Sequence, residues 1–298
     1  MSAAPPRLPL WVRKPRRAPD AVHALKRDLR RLRLHTVCES ARCPNLHECF
    51  SRGTATFLLL GAHCTRSCAF CAAAGPHPER SPTPPDPDEP AGVARLADSL
   101  GLRHVVVTSV TRDDLPDGGA AQFAAAIHRL RTSLPETRVE VLVPDFRGDL
   151  SAAATVLEAR PDVFGHNLET VARLYAQVRP QARYQRSLDL LAFARRHSPS
   201  LLTKSGLMAG LGEQPQEIEA ALRDLRAAGV DIVTIGQYLQ PARRNLPVAA
   251  FIPPTQFDAW RDYGLSLGFK TVFAAPLARS SYLAEAVWTQ AAPGGRPC

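Results

Sequence analysis

Residues 56–71 read TFLLLGAHCTRSCAFC. Thr56–Gly61 is a short apolar run closed by a glycine, the pattern of a buried parallel strand. Directly behind it stand three cysteines, Cys64-x3-Cys68-x2-Cys71. Parallel β/α folds carry their chemistry on the loops that leave the carboxyl ends of strands. Beyond Pro90 the same alternation repeats. Apolar, β-branched runs lie at 104–110, 138–144, 162–166, 201–207, 231–239 and 270–275. Helical patterns lie between them, at 91–100, 118–133, 149–160, 168–178, 185–197, 214–228 and 255–267. Such β/α alternation predicts a parallel sheet with outer helices. It either closes toward a barrel or winds into an open sheet. No GxGxxG follows the first strand, so a dinucleotide-binding fold has little support.

Polar residues collect after the strands: Cys64–Cys71, Thr111–Gly119, Asp145–Gly148, Asn167 and Glu169, then Gln237 and Tyr238. Their shared position predicts a single mouth. A second triplet, Cys38-x4-Cys43-x5-Cys49, precedes the first strand. A cubane iron–sulfur cluster has four irons, so three thiolates hold it and leave one iron open. On that iron S-adenosylmethionine can be chelated and reduced. The first triplet needs a fourth ligand from elsewhere. Residues 50–55 and the strand after them each span about 20 Å when extended, which allows Cys49 to lie at the same barrel end as Cys64.

Other uses of the cysteines stay open. Structural zinc closes with four ligands, usually in close pairs, and His35, His47 and His63 are available to complete Cys3His sites. A disulfide framework suits small secreted domains, and this chain has 298 residues with no signal-peptide pattern. Cys298 is most simply an unassigned free thiol.

Apolar residues make up 45% of the chain, enough for a sizeable core. No apolar stretch approaches the roughly 20 residues that span a bilayer, so a soluble, cytoplasmic protein is expected, with no membrane partner. Residues 1–36 carry ten Arg or Lys against Asp20 and Asp28, which accounts for nearly all of the net charge of +9. Within this arm Val22, Leu25, Leu29 and Leu32 recur at helical spacing. A basic amphipathic helix serves an acidic partner, nucleic acid or a transit signal, or simply packs on the main domain. The arm is Ser-poor and has no aromatic stacking platform, which disfavours a transit peptide and single-stranded nucleic acid. A Pro-rich link, Pro76–Pro90, joins the cysteine region to the remainder.

The segments VCESARCPNLHECF (37–50), GTATFLLLG (53–61) and CTRSCAFC (64–71) resemble the lipoyl synthase family of radical S-adenosylmethionine enzymes. So do, in order, RDDLPDGGA (112–120), VLVPDFRG (141–148), HNLETV (166–171), YQRSLDLL (184–191), TKSGLMAGLGE (203–213), TIGQYLQP (234–241) and RSSY (279–282). The resemblance implies an α/β fold, the radical-SAM partial (β/α)6 barrel of TIM type. Three parts are expected: a basic arm with the auxiliary-cluster cysteines (1–52), the partial barrel (53–275) and a C-terminal capping segment with the serine motif (276–298).

The resemblance further implies insertion of two sulfur atoms at C6 and C8 of an octanoyl group on a lysine of a lipoyl-carrier domain or H protein. A reduced ferredoxin or flavodoxin supplies electrons, and nucleic acid plays no part. Cys64, Cys68 and Cys71 would hold the 4Fe-4S cluster that reduces S-adenosylmethionine. Cys38, Cys43 and Cys49 would hold an auxiliary 4Fe-4S cluster that is consumed as the sulfur source. Its fourth ligand is a serine of RSSY, placed at Ser281, with Ser280 the alternative. An alkoxide is a harder and weaker partner for iron than a thiolate, and this weakness would let one iron leave. Phe70, Gly118, Gly119, Asn167, Glu169, Lys204 and Ser205 are the expected cofactor contacts. Arg279 is expected to orient the serine loop or the substrate, and the basic arm suits an acidic carrier. The chain departs from the family pattern at Ala72 and Ala73, Gly165, Asn245 (commonly His) and Ala275. If both cysteine sets fill, anaerobically reconstituted protein will contain about eight irons and eight sulfides per chain. Zinc without sulfide, read by elemental analysis, would restore the structural-metal alternative.

Overall fold

The computed structural model describes residues 8–13, 19–52, 55–76 and 82–291. Every predicted apolar run is a strand, and neighbours in sequence are neighbours in space. In front of them α1 (Pro19–Arg31), β1 (His35–Thr36), α2 (Val37–Ser40) and α3 (Leu46–Ser51) form the N-terminal part. Then β2 (Thr56–Leu59), β3 (His104–Ser109), β4 (Arg138–Leu142), β5 (Val163–Gly165), β6 (Leu202–Ala209), β7 (Ile232–Gln237) and β8 (Thr271–Ala274) pair in parallel. They are connected by α4 (Glu89–Ser99), α5 (Ala120–Ser133), α6 (Leu150–Glu158), α7 (Tyr175–Val178) with α8 (Tyr184–His197), α9 (Pro215–Ala227) and α10 (Pro254–Ser266). α11 (Ala284–Ala291) follows β8. β1 pairs only with β2 and β8 only with β7, so the sheet stays open, a partial barrel of six β/α units and a last strand.

Side chains alternate between the two faces of each strand. Outward-facing Val105, Val107, Val139, Val141 and Phe164 share one core with Leu96, Phe123, Ile127 and Val156 of the outer helices. Val22, Leu25 and Leu29 of α1 and Phe50 of α3 belong to that same core, so the basic helix buries its apolar stripe against the barrel. Leu207, Val233, Ile235 and Val272 form the second core with Ile218, Leu222, Phe257 and Trp260. Val163, Leu202 and Ile232, at the starts of β5, β6 and β7, face inward and pack against Val287 and Ala291 of α11. That helix plugs the floor of the barrel, at the end opposite the expected mouth. Arg138 lies 3.7 Å over the Trp288 ring and Arg103 pairs with Glu285 at 2.7 Å, fixing the plug at its edges.

One predicted helix is mostly absent. Residues 168–178 give a loop, a 3₁₀ turn at Ala172–Leu174 and the single turn α7. The cause is local pairing: the Glu169 N–H donates to Gly206 O and the Met208 N–H to Glu169 O, both at 2.8 Å. This bridge to β6 holds Glu169 at φ 68°, where a helix cannot continue. β1 and α11 are too short or too ordinary in pattern to have been predicted. The Pro-rich link falls partly on residues 77–81, outside the described residues, as do Cys298 and Lys14, Arg16 and Arg17 of the basic arm.

Above the floor lies a buried ion cluster. Lys204 Nζ is 2.7 Å from one Glu140 oxygen, and His104 Nε2 is 3.2 Å from the other. Burial alone would raise the Glu140 carboxyl, but the Lys204 and His104 charges hold it below the usual range. Lys204, expected at the cofactor, is therefore committed to a structural pair in the amino-terminal half of β6, away from the mouth. Removing one member of a buried pair strands the other. Lys204→Ala should lower unfolding stability by about 3–5 kcal/mol in urea titrations of cluster-free protein. A stability close to wild type, with weakened S-adenosylmethionine binding instead, would return Lys204 to the cofactor.

Candidate functional site

The loop after β2 carries Cys64, Cys68 and Cys71, and it is pinned from every side. Arg66 is buried within it, and its guanidinium binds Asp113 in a fork (2.7 and 2.9 Å) and Asp145 at 2.6 Å. These carboxylates leave the ends of β3 and β4, so one side chain ties three strand ends together. Burial alone would raise the Asp145 carboxyl, but the Arg66 charge reverses this and holds it far below the ordinary range. Backbone bonds Thr65 N–H to Thr111 O (3.0 Å) and Ala69 N–H to Val178 O (2.9 Å) add two more seams. Asn245, one of the departures from the family pattern, donates its side-chain amide to the carbonyls of Ala69 (3.2 Å) and Cys71 (2.8 Å).

The thiols suit a cluster. No disulfide joins the six described cysteines. The backbone N–H groups of Arg66 and Ala73 lie 3.4 Å from the sulfurs of Cys64 and Cys71, where they would support a thiolate bound to iron. Burial pushes the Cys71 thiol up to about 11 and raises Cys68. Among the described residues no three His, Cys, Asp or Glu side chains converge on a single metal ion.

Across the mouth, the loop after β5 presents Asn167 and Glu169. Asn167 donates its amide to Glu169 Oε1 at 3.0 Å, and burial raises the Glu169 carboxyl. Arg179 is buried behind them and donates to the carbonyls of Asn167 (2.9 Å) and Leu168 (3.2 Å). Ser205 is fully buried and accepts from the Leu168 N–H at 3.2 Å, so it supports this loop from behind. Gly118 and Gly119, at φ 59° and 91°, form the turn into α5, with Gly119 as its N-cap. Phe70 is half-buried against the second core.

The first cysteine triplet lies at the other end of β2. The antiparallel register His35–Leu58 and Thr36–Phe57 sends the chain back toward Thr56, the strand's first residue. Cys38 on α2, Cys43 in the turn and Cys49 on α3 then line a cavity of about 370 Å³ with Thr56, the start of β3, Arg279 and Ser281. The reach of residues 50–55 allows Cys49 to lie beside Cys64, but the chain does not use it: one set precedes β2 and the other follows it. Burial pushes the Cys38 thiol up to about 12.

Ser281 reaches this cavity because residues 277–282 fold back over the sheet. Thr56 Oγ1 donates to Ser281 Oγ at 2.7 Å, Asn45 Nδ2 to Leu277 O at 2.8 Å, and the Tyr282 hydroxyl to Glu48 at 3.0 Å. Ser280 points elsewhere and donates to Asn167 Oδ1 at 2.9 Å. A Cβ on Gly236 would collide with Ala278 O, and one on Gly206 would stand 2.7 Å from Ser280 Oγ, so both glycines make room for the strap. In the basic arm, Lys26 and Arg30 pair with Glu39, Arg31 with Asp28, and Arg33 with Asp86 and Asp88. Sequence reasoning marked Asp113 and Asp145 only as loop polars and did not assign Arg66, Arg179 or Thr56. Arg66 and Thr56 lay inside quoted motifs, whereas Arg179 carried no signal.

The Radical SAM superfamily model matches residues 58–225. The chain is 54% identical over 283 residues to a lipoyl synthase of Methylococcus capsulatus, covering 95% of this chain and 87% of the relative. It is 51% identical to one of Thermus thermophilus (95% and 87%) and 50% identical to one of Chlorobaculum parvum (96% and 97%). Among solved structures, methylornithine synthase superposes with a TM-score of 0.54 at 15% identity, over 71% of this chain and 61% of that one. Coproporphyrinogen III oxidase of Escherichia coli, a radical SAM enzyme, gives 0.51 at 14% identity, over 70% and 51%. These structures share the fold.

His166, beside Asn167, is buried between Val143 O (2.8 Å) and Ser187 Oγ (2.9 Å). Burial, and then the Arg179 charge, lower its pKa to about 4. Between pH 6.5 and about 4 the unfolded chain takes up a proton that the folded chain refuses, so stability falls as pH falls. The loss at the bottom of this window is roughly 3 kcal/mol. Urea midpoints of cluster-free protein should therefore drop from pH 7 to 4.5, and His166→Gln should flatten that slope. An equal slope in the variant would assign it to other groups.

Proposed function

The chain belongs to the lipoyl synthase family, and from that premise we propose that Cys64, Cys68 and Cys71 hold one 4Fe-4S cluster while Cys38, Cys43, Cys49 and Ser281 hold a second. The reaction is the radical-mediated insertion of two sulfur atoms at C6 and C8 of an octanoyl group carried on a lysine. The observation that carries the ligand assignment is the arrival of Ser281 in the cavity lined by the first cysteine triplet. Three thiols and a hydroxyl from opposite ends of the sequence line it. When bound, the cluster at the mouth supplies the electron that opens S-adenosylmethionine for hydrogen abstraction, and the auxiliary cluster supplies the sulfur.

The chain's own residues bind, orient and shield. Arg66, with Asp113 and Asp145, fixes the position of the mouth loop, and Asn245 fixes the carbonyls on either side of Phe70. Asn167 and Glu169 present a polar edge toward S-adenosylmethionine, with Arg179 balancing the buried carboxylate. Gly118 and Gly119 offer backbone groups at the same rim. Lys204 is left out of this set, and Ser205 enters only as the support of the Asn167 loop. Thr56 donates to Ser281 Oγ, the polarity that steadies an alkoxide bound to iron. An unactivated methylene cannot be deprotonated by a side chain, so no general base is required. α11 packs Val287 and Ala291 against the starts of β5, β6 and β7, covering the floor of the barrel.

The substrate is a lipoyl-carrier domain or H protein in its octanoylated form, and the reductant is of the ferredoxin or flavodoxin type. Among the described residues no helix is long and apolar enough to cross a membrane. The three-part division at 52 and 275 separates roles, since arm, barrel and strap share cores.

The deciding experiment is anaerobic. Reconstituted protein, an octanoyl-lysine peptide, S-adenosylmethionine and a strong reductant should yield the lipoyl peptide by mass. In the same assay Ser281→Cys should assemble a sturdier auxiliary cluster and form lipoyl product at least tenfold more slowly, because thiolate holds iron more firmly than alkoxide does. Undiminished product from that variant would remove Ser281 from the ligand set.

A further inference from the structure

The strap formed by residues 278–282 makes few backbone bonds of its own. Ala278 N–H donates to Ala275 O (3.0 Å) and Tyr282 N–H to Arg279 O (2.9 Å), both within the local turn. Its register is therefore set by side chains. Arg279, Ser281 and Tyr282 line the auxiliary cavity, whereas Ser280 faces the opposite way, into the barrel. There its hydroxyl meets Asn167 Oδ1, and the bond is well defined because the other end of that carboxamide is engaged by Glu169. Gly206 lies directly beneath, where a methyl group would press on Ser280 Oγ (2.7 Å), Asn167 Oδ1 (2.8 Å) and Thr234 Oγ1 (2.9 Å). Two adjacent serines thus touch two different sites. Asn167 belongs to the edge read as facing S-adenosylmethionine, and Ser281 belongs to the set read as holding the sulfur source.

We propose that the Ser280–Asn167 hydrogen bond holds Ser281 in the auxiliary cavity, making Ser280 a positioning residue that ties the sulfur-donor site to the cofactor edge. The proposal rests on the ligand assignment given above. Without the bond, the strap can pivot about its turn, and the Ser281 oxygen spends less time within reach of iron. The auxiliary cluster then loses iron more easily, whether or not any reaction is running.

The test uses the full-length chain with Cys64, Cys68 and Cys71 replaced by Ala, so that only the auxiliary set is filled. After anaerobic reconstitution, iron extraction by a ferrous chelator is timed, and the electron paramagnetic resonance spectrum of the reduced cluster is recorded. Ser280→Ala and Asn167→Ala should each speed extraction about threefold to tenfold, the range expected from one neutral hydrogen bond, and shift the spectrum alike. The double variant should be no faster than either single one, since both remove the same bond. Gly206→Ala displaces Ser280 without deleting a polar group and should reproduce the acceleration, which guards against misfolding of the first variants. Unchanged rates in Ser280→Ala and Gly206→Ala, or multiplied effects in the double variant, would overturn the tie. A background chain that takes up no cluster would bring down the ligand assignment, and the tie with it. A normally loaded background with unaltered rates would bring down the tie alone.

Discussion

Three hydrogen bonds join the two ends of this sequence across the open edge of the sheet: Asn45 to Leu277, Thr56 to Ser281, and Tyr282 to Glu48. The proposed auxiliary site depends on them, because a barrel that does not close leaves a flank where neither end alone could build a complete donor set. In that proposal the N-terminal part brings three sulfurs and lacks a fourth ligand. The C-terminal strap brings an oxygen and lacks a scaffold. Each of the three bonds is individually modest, of the order of 1 kcal/mol. Their effect is geometric, since together they fix the register of a strap that has little secondary structure to fix it.

The other cysteine set is held by a different kind of force. Arg66 is buried with two carboxylates around it, in a setting where such pairs are costly to assemble but more costly to break. The arrangement fits a loop that must keep three sulfurs at fixed spacing while remaining free of regular structure. Hydrogen bonds from Asn245, Thr65 and Ala69 then distribute the restraint over strand ends on both sides of the mouth. The two sites therefore differ in how they are made rigid: charge at the mouth, strap and cavity walls at the flank. Asn245 also shows how a departure from the family pattern is absorbed, since a carboxamide can donate to both carbonyls at once.

Much of this was legible in the chain because strands buried on both faces are written as short β-branched runs, and helices between them as periodic ones. All seven parallel strands were placed within about two residues, as were most outer helices. The helix expected over 168–178 failed for a reason invisible in local pattern: Glu169 forms a bridge to β6, and tertiary pairing overrides propensity. Which end of β2 the first triplet occupies was left open. Reach alone allows Cys49 to lie at either end, and only the two-residue pairing of β1 decides, too short a signal to read. Lys204 was read as a cofactor contact at a strand end, yet it is the third residue of β6 and pairs with the buried Glu140. Ser280 and Ser281 are chemically identical neighbours, and backbone direction alone distinguishes them.

The distance along the chain between Thr56 and Ser281, 225 residues, has a bearing on biosynthesis. As the polypeptide leaves the ribosome, the six cysteines of the two triplets emerge long before the serine, and domains begin folding from their N-terminal side. The mouth can take shape as soon as the early β/α units exist. The flank cannot, because contacts of such high sequence separation form late. Iron delivered during translation would therefore meet the first cysteine triplet before Ser281, its proposed partner, has been made.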